Sequence, residues 1–286
     1  MQYRFLRFPG GKPKAVTLSY DDGVLQDKRF SDIITKNGLK CTFNINSAFI
    51  GTENKLTKQE IKEYILERGH EIAVHGEYHR ANGSQRAVDG IQDVLNCRLT
   101  LEKEFGIIVR GMAYPDSGIA VFNNGANYGN IKQYLTDLDI AYARTLGGDN
   151  DTFALPTDWH AWMPTAHHAN PKIFDYIKEF TEVNLSKMYS SARFPRLFYL
   201  WGHSYEFERN NNWELLEGIC EKMANKEDIW YATNIEIYDY VNAYNSLVFS
   251  ADSSIIHNPS LQTVWFAMDG KNYVIESGEI LNLQKL

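Results

Sequence analysis

The chain is poor in cysteine and shows no disulfide framework. Its 286 residues include only three cysteines, which lie far apart in the sequence. An odd number with this spacing argues against paired disulfides and against a metal site built from thiolates. We expect Cys41, Cys97 and Cys220 to be small buried hydrophobic side chains.

Clusters of positive charge and long apolar segments are also missing. Asp and Glu outnumber Lys and Arg by 36 to 29, which gives a net charge of -7. Nucleic acids and anionic membranes are normally bound through clustered Lys and Arg, so we expect neither as a partner. No stretch approaches the ~18 apolar residues of a membrane helix, and residues 1–11 lack the apolar core of a secretory signal. We therefore expect a cytoplasmic chain, with export behind a removed leader as the alternative.

Short apolar strands alternate with amphipathic helices along most of the chain. The predicted strands cover residues 15–20, 41–45, 70–75, 107–109, 140–145, 197–201 and 229–231. Capping boxes at Thr57 and Thr233 predict the starts of two helices. The longest predicted helix ends near Gly106 and has an apolar face formed by Val88, Ile91, Leu95 and Leu99. This alternation predicts an α/β protein with a mostly parallel sheet or barrel.

The pattern changes after residue 245. Two short alternating segments, residues 263–266 and 273–275, flank the turn residues Asp269 and Gly270, which is typical of a β-hairpin. About forty residues are too few for a confident independent fold. We predict one main domain over residues 1–245 and a small C-terminal β appendage over residues 246–286 that packs against it.

Polar side chains follow four of the predicted strands. The strand ends lead into Asp21 and Asp22, into His75 and His79, into the segment 113–116, and into His203. In parallel α/β folds the loops at these ends build the functional site. Two imidazoles four residues apart and one carboxylate can hold a divalent cation and leave positions open for water.

These motifs resemble those of the polysaccharide deacetylases of carbohydrate esterase family four, which share the NodB homology domain. The family motif Thr-Phe-Asp-Asp-Gly is similar to Ser19 to Gly23, and its motif His-(Ser/Thr)-x-x-His is similar to His75 to His79, with Gly76 in place of the hydroxyl residue. The resemblance runs in motif order over residues 13–244. It implies a distorted (β/α)7-type barrel and one divalent metal ion, usually zinc.

The resemblance also implies roles for individual residues. Asp21 corresponds to the general base, and Asp22, His75 and His79 correspond to the metal ligands. His203 corresponds to the general acid that protonates the leaving group.

Further site residues follow from the same resemblance. Asp158 is similar to the carboxylate that orients the histidine, and Trp159 to the indole that walls the pocket. The backbone N–H of Asp116, after Tyr114 and Pro115, is placed to stabilise the oxyanion.

Two departures from the family pattern affect the predicted site. The third motif, Arg-x-Pro, normally supplies an arginine that holds the general base, but Ala113 stands there. We predict that Arg144, at the end of a later strand, takes over this contact. A leucine that receives the acetyl methyl group is replaced by Trp201, which we also expect to contact substrate.

The predicted function is hydrolysis of an N- or O-linked acetyl group on a saccharide. One alternative is an amidohydrolase of the same superfamily that opens cyclic amides or imides. Another is a carbohydrate-binding homologue that has lost catalysis. We interpret the pair His167 and His168 as pocket wall or surface rather than a second metal site, and Glu206 as a neighbour that could tune His203.

Overall fold

The computed structural model describes residues 3–285. Its strands are β1 (Arg4–Arg7), β2 (Lys14–Asp21), β3 (Cys41–Ile45), β4 (Glu71–Val74), β5 (Gly111–Ala113), β6 (Tyr142–Arg144), β7 (Ala166–His167), β8 (Arg196–Gly202), β9 (Ile229–Tyr231), β10 (Val248–Phe249), β11 (Ile255–His257), β12 (Val264–Met268), β13 (Lys271–Ile275) and β14 (Ile280–Asn282). Its α-helices are α1 (Asp27–Lys36), α2 (Lys58–Ile61), α3 (Ala87–Phe105), α4 (Tyr128–Asp137), α5 (Ile173–Glu182), α6 (Tyr205–Arg209), α7 (Trp213–Met223) and α8 (Asn234–Asn245). Within residues 3–285, none of the helices combines the length and apolar character needed to cross a bilayer.

A parallel sheet forms the body of the protein. Its strand order is β6-β5-β4-β3-β2-β8-β7, and β9 pairs with the start of β2. The backbone N–H of Trp162 donates to Ala143 O of β6, and its carbonyl accepts from Thr145 N. A few residues later, β7 pairs with β8. This segment closes the sheet between β6 and β8. The result is the distorted (β/α)7 barrel that the resemblance implied, so that prediction is confirmed.

Strand β2 shows how the barrel presents polar groups to its interior. All eight of its residues are buried. Leu18 and Tyr20 pack outward against the helices in the main apolar core. Ser19 and Asp21 alternate with them and meet the side chain of Asn44 from β3. Because side chains alternate along a strand, this register delivers Asp21 to the interior at the strand's carboxyl end.

The capping boxes are confirmed at both predicted helix starts. Thr57 and Thr233 each accept a hydrogen bond from the backbone N–H three residues later, and the glutamate there bonds back to the capping residue. Satisfying these otherwise free N–H groups is what stabilises a helix start. The predicted helix over this first box is α2, which continues as a π-helical turn through residues 62–66.

Helix α3 buries only part of the predicted face: Ile91 packs against the main core, but the two ends of that face are exposed. Val88 and Leu99 are 51% and 54% exposed, whereas Val94, Cys97 and Leu101 are fully buried. The face that α3 turns toward the core carries Gly90, Asp93, Val94, Cys97 and Leu101. Packing against the sheet therefore decides which face is buried, and the number of large apolar residues on a face does not. The prediction was wrong for Val88 and Leu99, because apolar residues at helical spacing also occur on the neighbouring face.

The strand predicted over residues 107–109 is also wrong. Strand β5 begins two residues later, at Gly111, and Ile108 is 80% exposed. Helix α3 ends at Gly106 in a left-handed conformation with φ of 67°. The apolar residues that follow lie in the connection to β5, where no neighbouring strand pairs with them.

The C-terminal residues form two small antiparallel sheets. The hairpin predicted around Asp269 and Gly270 is confirmed as β12 and β13. The N-terminal strand β1 adds to its other edge, so the order is β1-β12-β13, and the second sheet has the order β10-β11-β14. Phe266 and Ile256 pack with Ala243 of α8 in a separate apolar cluster. The division at residue 245 remains a prediction, and the sheet also takes in residues from the N terminus.

Candidate active site

One cavity lies where the loops after β2, β4, β5, β6 and β8 meet. Its volume is about 260 Å³. The residues that line it are Asp21, His75, His79, Tyr114, Asp116, Ser117, Leu146, Trp201 and His203. Residues that are distant in sequence are therefore assembled at the carboxyl ends of parallel strands, which is where α/β barrels place their sites.

Asp22, His75 and His79 bring three potential metal ligands together. The Nε2 atoms of His75 and His79 lie 3.8 Å and 3.4 Å from Asp22 Oδ1. The three donor atoms lie within 4.8 Å of one another. This is the spacing at which one ion could be shared, because ligand atoms around a common centre stand a few ångströms apart.

The environment of His75 fits a metal ligand. Its Nδ1 lies 2.9 Å from the carbonyl oxygen of Ala113. A carbonyl can only accept, so Nδ1 carries the proton and Nε2 carries the lone pair. That Nε2 is buried and has no hydrogen-bond partner among the described residues. Burial also lowers the pKa of His75, against the pull of Asp21 and Asp22. A neutral imidazole with an orphaned, buried nitrogen is the form that binds a cation.

The backbone holds two of these ligands in an uncommon conformation. Asp22 and His79 have φ of 83° and 56°, in the left-handed region. Such conformations cost energy and persist at sites where the surrounding structure enforces them. Between the histidines, Gly76 has φ of 73°, and a Cβ there would clash with the carboxylate of Asp93. The hydroxyl residue of the family motif is therefore replaced by glycine for a steric reason.

Asp21 lies beside the ligands in a fully buried position. Its Oδ2 is 2.5 Å from an Arg144 guanidinium nitrogen, and its Oδ1 accepts from Asn44 Nδ2 at 2.8 Å. Burial alone would raise the pKa of Asp21, but Arg144, His75 and His203 outweigh it and lower the pKa to about 2. Arg144 also lies over the Trp201 ring, 4.5 Å from its centre. The guanidinium comes from β6, one strand away from the position that the family motif uses.

His203 lies near the same oxygen of Asp21 as His75 does. Its Nε2 lies 3.8 Å from Asp21 Oδ2, and its Nδ1 lies 3.5 Å from Glu206 Oε1. Burial disfavours the charged imidazolium, but Glu206 and Asp21 outweigh that effect and raise the pKa of His203. One carboxylate therefore lies near each ring nitrogen, and their charges favour the protonated form of the ring.

Glu206 lies close to three imidazole rings, those of His167, His168 and His203. The Nε2 atoms of His167 and His168 both lie 3.1 Å from its Oε2, on the side away from His203. Burial acts to raise the pKa of Glu206, yet its contacts with the histidines keep that pKa well below the usual range. His167 Nδ1 accepts from the backbone N–H of Ala169 at 3.1 Å. Its proton is therefore on Nε2, which favours a contact with Glu206 over ligation of a metal.

Asp158 and Trp159 are not part of this group, which corrects the prediction for both. The Asp158 carboxylate accepts from Tyr128 Oη at 2.7 Å and from Lys132 Nζ at 2.8 Å. The Trp159 ring packs edge-on against Trp162 and lies outside the cavity lining. A match of two residues was too short to identify the carboxylate that serves His203. The signal for Glu206 was its position three residues after His203, at the start of α6, where side chains face the same side.

Of the remaining predicted site residues, some line the cavity and one only shapes the loop beside it. Tyr114 is buried and lines the cavity, and its hydroxyl donates to the His160 carbonyl at 2.8 Å. Asp116 lines the cavity with φ of 51°. Pro115 does not line it, but its carbonyl accepts from Gly118 N and shapes the turn. Leu146 lines the cavity although sequence reasoning missed it, because the loop after β6 has no motif.

Part of the chain matches a known protein family. Residues 9–134 match the family described as polysaccharide deacetylase. No curated protein matches the sequence significantly.

Solved structures share the fold at low sequence identity. A candidate polysaccharide deacetylase from Mycobacterium smegmatis is 16% identical, with 84% of this chain and 94% of that chain covered and a TM-score of 0.57. The chitin deacetylase from the fungal pathogen Colletotrichum lindemuthianum is 14% identical, with 81% and 89% covered and a TM-score of 0.50. The match to the Streptococcus pyogenes deacetylase PplD in complex with acetate has 18% identity and a TM-score of 0.41, and covers 46% of this chain and 55% of that chain, about half its length. In residues 9–134 this chain is similar to the polysaccharide deacetylase family, and it shares its barrel fold with solved structures described by that name.

Proposed function

We propose that the chain is a metal-dependent hydrolase that removes N- or O-linked acetyl groups from a carbohydrate. One observation supports this most directly. One cavity is lined by His75 and His79, two of the three converging side chains that could hold a metal, and by the buried carboxylate of Asp21 and the imidazole of His203. The pKa of Asp21 is lowered and that of His203 is raised. Hydrolysis of an amide or ester needs an activated water, a proton acceptor and a proton donor at the same place.

Asp22, His75 and His79 would hold the divalent cation, and we propose zinc. A cation bound there would lower the pKa of a water molecule and polarise the acetyl carbonyl. The ligand set of two imidazoles and one carboxylate suits zinc with open positions for water and substrate. The hydrogen bond from His75 Nδ1 to Ala113 O keeps Nε2 directed at the site, which is the usual support for a metal-binding histidine.

Asp21 is proposed to accept the proton of the attacking water. It is ionised at any pH near neutrality, because its pKa is about 2 despite its burial. Arg144 and Asn44 each engage a different oxygen of the carboxylate, so its orientation is restricted. A general base must stand within hydrogen-bond reach of its proton, and two fixed contacts provide this positioning.

His203 is proposed to give a proton to the departing amine or hydroxyl oxygen. Its Nε2 faces the cavity beside Asp21, while Glu206 contacts its Nδ1. We assign Glu206 the orienting role that the family resemblance gave to Asp158. Because Glu206 stabilises the protonated ring, the acid form of His203 persists at the pH where Asp21 is ionised.

The acetyl group itself needs an apolar wall and an oxyanion donor. Leu146 and Trp201 line the cavity and would contact the methyl group. The backbone N–H of Asp116 donates no hydrogen bond within residues 3–285, so it is free for a developing oxyanion.

Acetate release tests the proposal. Zinc-loaded protein should liberate acetate from acetylated chitooligosaccharide or acetylated xylan, and Asp21→Asn should reduce the rate by at least about 10². Asp175→Asn, an exposed change in the first turn of α5, serves as the matched control. Ring opening of a cyclic imide without acetate would favour the amidohydrolase alternative. Calorimetric binding of the oligosaccharide without product would favour an inactive homologue.

A further inference from the structure

A second cavity lies at the other end of the barrel. It has a volume of about 470 Å³ and is lined by residues that include Arg7, Lys14, Glu182, Arg193 and Asp228. Lys14 begins β2, whereas Asp21 ends it, so the two cavities are separated by the length of an eight-residue strand. At 3.3 Å per residue this is on the order of 20 Å. The second cavity is therefore independent of the proposed active site.

Arg7 carries a buried charge that no carboxylate of residues 3–285 pairs with. The residue is only 7% exposed. One guanidinium nitrogen donates to the carbonyls of Leu6 at 2.8 Å and Arg193 at 3.3 Å. No carboxylate of residues 3–285 lies within ion-pair distance of it. Arginine is rarely buried to this degree unless it is paired, because removing its charge from water is costly.

Arg193 brings a second guanidinium to the same cavity, and within the described part of the chain it forms no ion pair. It donates from Nε to the Met188 carbonyl at 3.1 Å and from a terminal nitrogen to the Ser186 carbonyl at 3.3 Å. It too has no carboxylate at ion-pair distance among the described residues. Lys14, in contrast, is paired with Asp228 at 3.0 Å. Burial lowers the pKa of Arg7, and the neighbouring Arg193 charge contributes in the same direction.

We propose that this cavity binds a small oxyanion, a phosphate or carboxylate group, between Arg7 and Arg193. Two adjacent like charges in a partly closed site are unfavourable, and a bound anion offsets that repulsion. Guanidinium groups recognise phosphate and carboxylate oxygens through paired N–H donors. The carbonyl contacts fix one edge of each guanidinium and leave other N–H groups available. The volume admits a small molecule larger than the anion itself.

Calorimetric titration of the zinc-loaded full chain tests this site. Inorganic phosphate is used in one arm and citrate in the other, at constant ionic strength maintained with chloride. Arg193→Gln removes a half-buried charge and is expected to weaken binding at least tenfold, and Arg7→Met to abolish it. Arg196→Gln is the matched control, because Arg196 also bonds a carbonyl, Phe194 O at 2.9 Å, but does not line the cavity.

The outcomes separate the ligand chemistries and the location. Tighter binding of phosphate than citrate assigns the site to phosphate, and the reverse assigns it to carboxylates. Anion binding at the proposed metal centre would be unchanged by Arg193→Gln. The inference is overturned if the wild type binds neither anion, or if Arg193→Gln retains wild-type affinity. Circular dichroism shows whether Arg7→Met is folded. If that variant is unfolded, its loss of binding carries no weight, and the affinity of Arg193→Gln alone tests the proposal.

Discussion

The Arg144 guanidinium lies 2.5 Å from the Asp21 carboxylate, although the two residues are 123 positions apart in the sequence. Both side chains are buried, so neither charge can be compensated by water. The positive charge of Arg144 stabilises the ionised form of Asp21 inside the barrel, where burial alone would favour the neutral form. The guanidinium comes from β6, the strand that pairs with Ala113 of β5.

Replacing Arg144 with Met should raise the pKa of Asp21 and remove one of its orienting contacts. Because the pKa of Asp21 is lowered to about 2 largely by this guanidinium, its loss moves the acid limb of the rate profile to higher pH. We expect kcat to fall roughly 10²-fold or more, and the free energy of unfolding to fall by about 3–5 kcal/mol, because a buried charge loses its partner. Acetate release from pH 4 to 9 and urea unfolding measure these effects. A variant whose rate shows no acid limb between pH 4 and 9 would contradict the assignment.

Glu206→Gln should change the alkaline limb of the plot of rate against pH. Glu206 helps to raise the pKa of His203, so its neutralisation lowers that pKa and the acid form is lost at lower pH. The alkaline limb should shift downward, with kcat at pH 8 reduced about 10-fold or more and KM little changed. Asp158→Asn is the control, because that carboxylate contacts Tyr128 and Lys132 rather than His203. If Asp158→Asn shifts the limb and Glu206→Gln does not, the orienting role belongs to Asp158.

Metal content should depend on the three proposed ligands. Elemental analysis of protein purified without chelator is expected to give about one divalent ion per chain, and His79→Ala or Asp22→Asn should reduce this strongly. His257→Gln, in the C-terminal sheet, should leave it unchanged. Chelation should lower the Tm, because an ion that binds only the folded state stabilises it. Full metal content in both ligand variants would place the ion elsewhere.

Stability should decrease as the pH rises toward 7. Burial raises the pKa of Asp27 and of Glu71 to about 7, from ordinary values of 3.8 and 4.5. The folded state therefore holds these protons to higher pH than the unfolded state. The stabilisation is complete below about pH 4 and is lost as the pH passes through 7.

Urea unfolding between pH 5 and 8 measures this dependence. Glu71→Gln should flatten the slope of unfolding free energy against pH, whatever its effect on absolute stability. Glu217→Gln, an exposed change on α7, should leave the slope as in the wild type. An unchanged slope in Glu71→Gln would show that this carboxyl does not titrate in that range.

The sequence alone was sufficient for the regular elements whose signals are local. The strand over residues 41–45, the capping boxes at Thr57 and Thr233, and the hairpin turn at Asp269 each depend on neighbouring residues. The proximity of His75 and His79 is also a local signal, because the two residues are four positions apart in one loop; their role as metal ligands stays a prediction. Helix α3 shows the limit of this reasoning. Apolar residues at helical spacing occur on two of its faces, and the sequence does not say which one meets the sheet.

Sequence thus determined the residue types and the order in which they follow the strands: a carboxylate pair, a histidine pair and a late histidine. Tertiary structure decided which distant side chain serves each of them. Arg144 reaches Asp21 from β6, and Glu206 rather than Asp158 reaches His203. Such contacts depend on strand register and on the closure of the barrel, which bring together atoms that no local spacing relates.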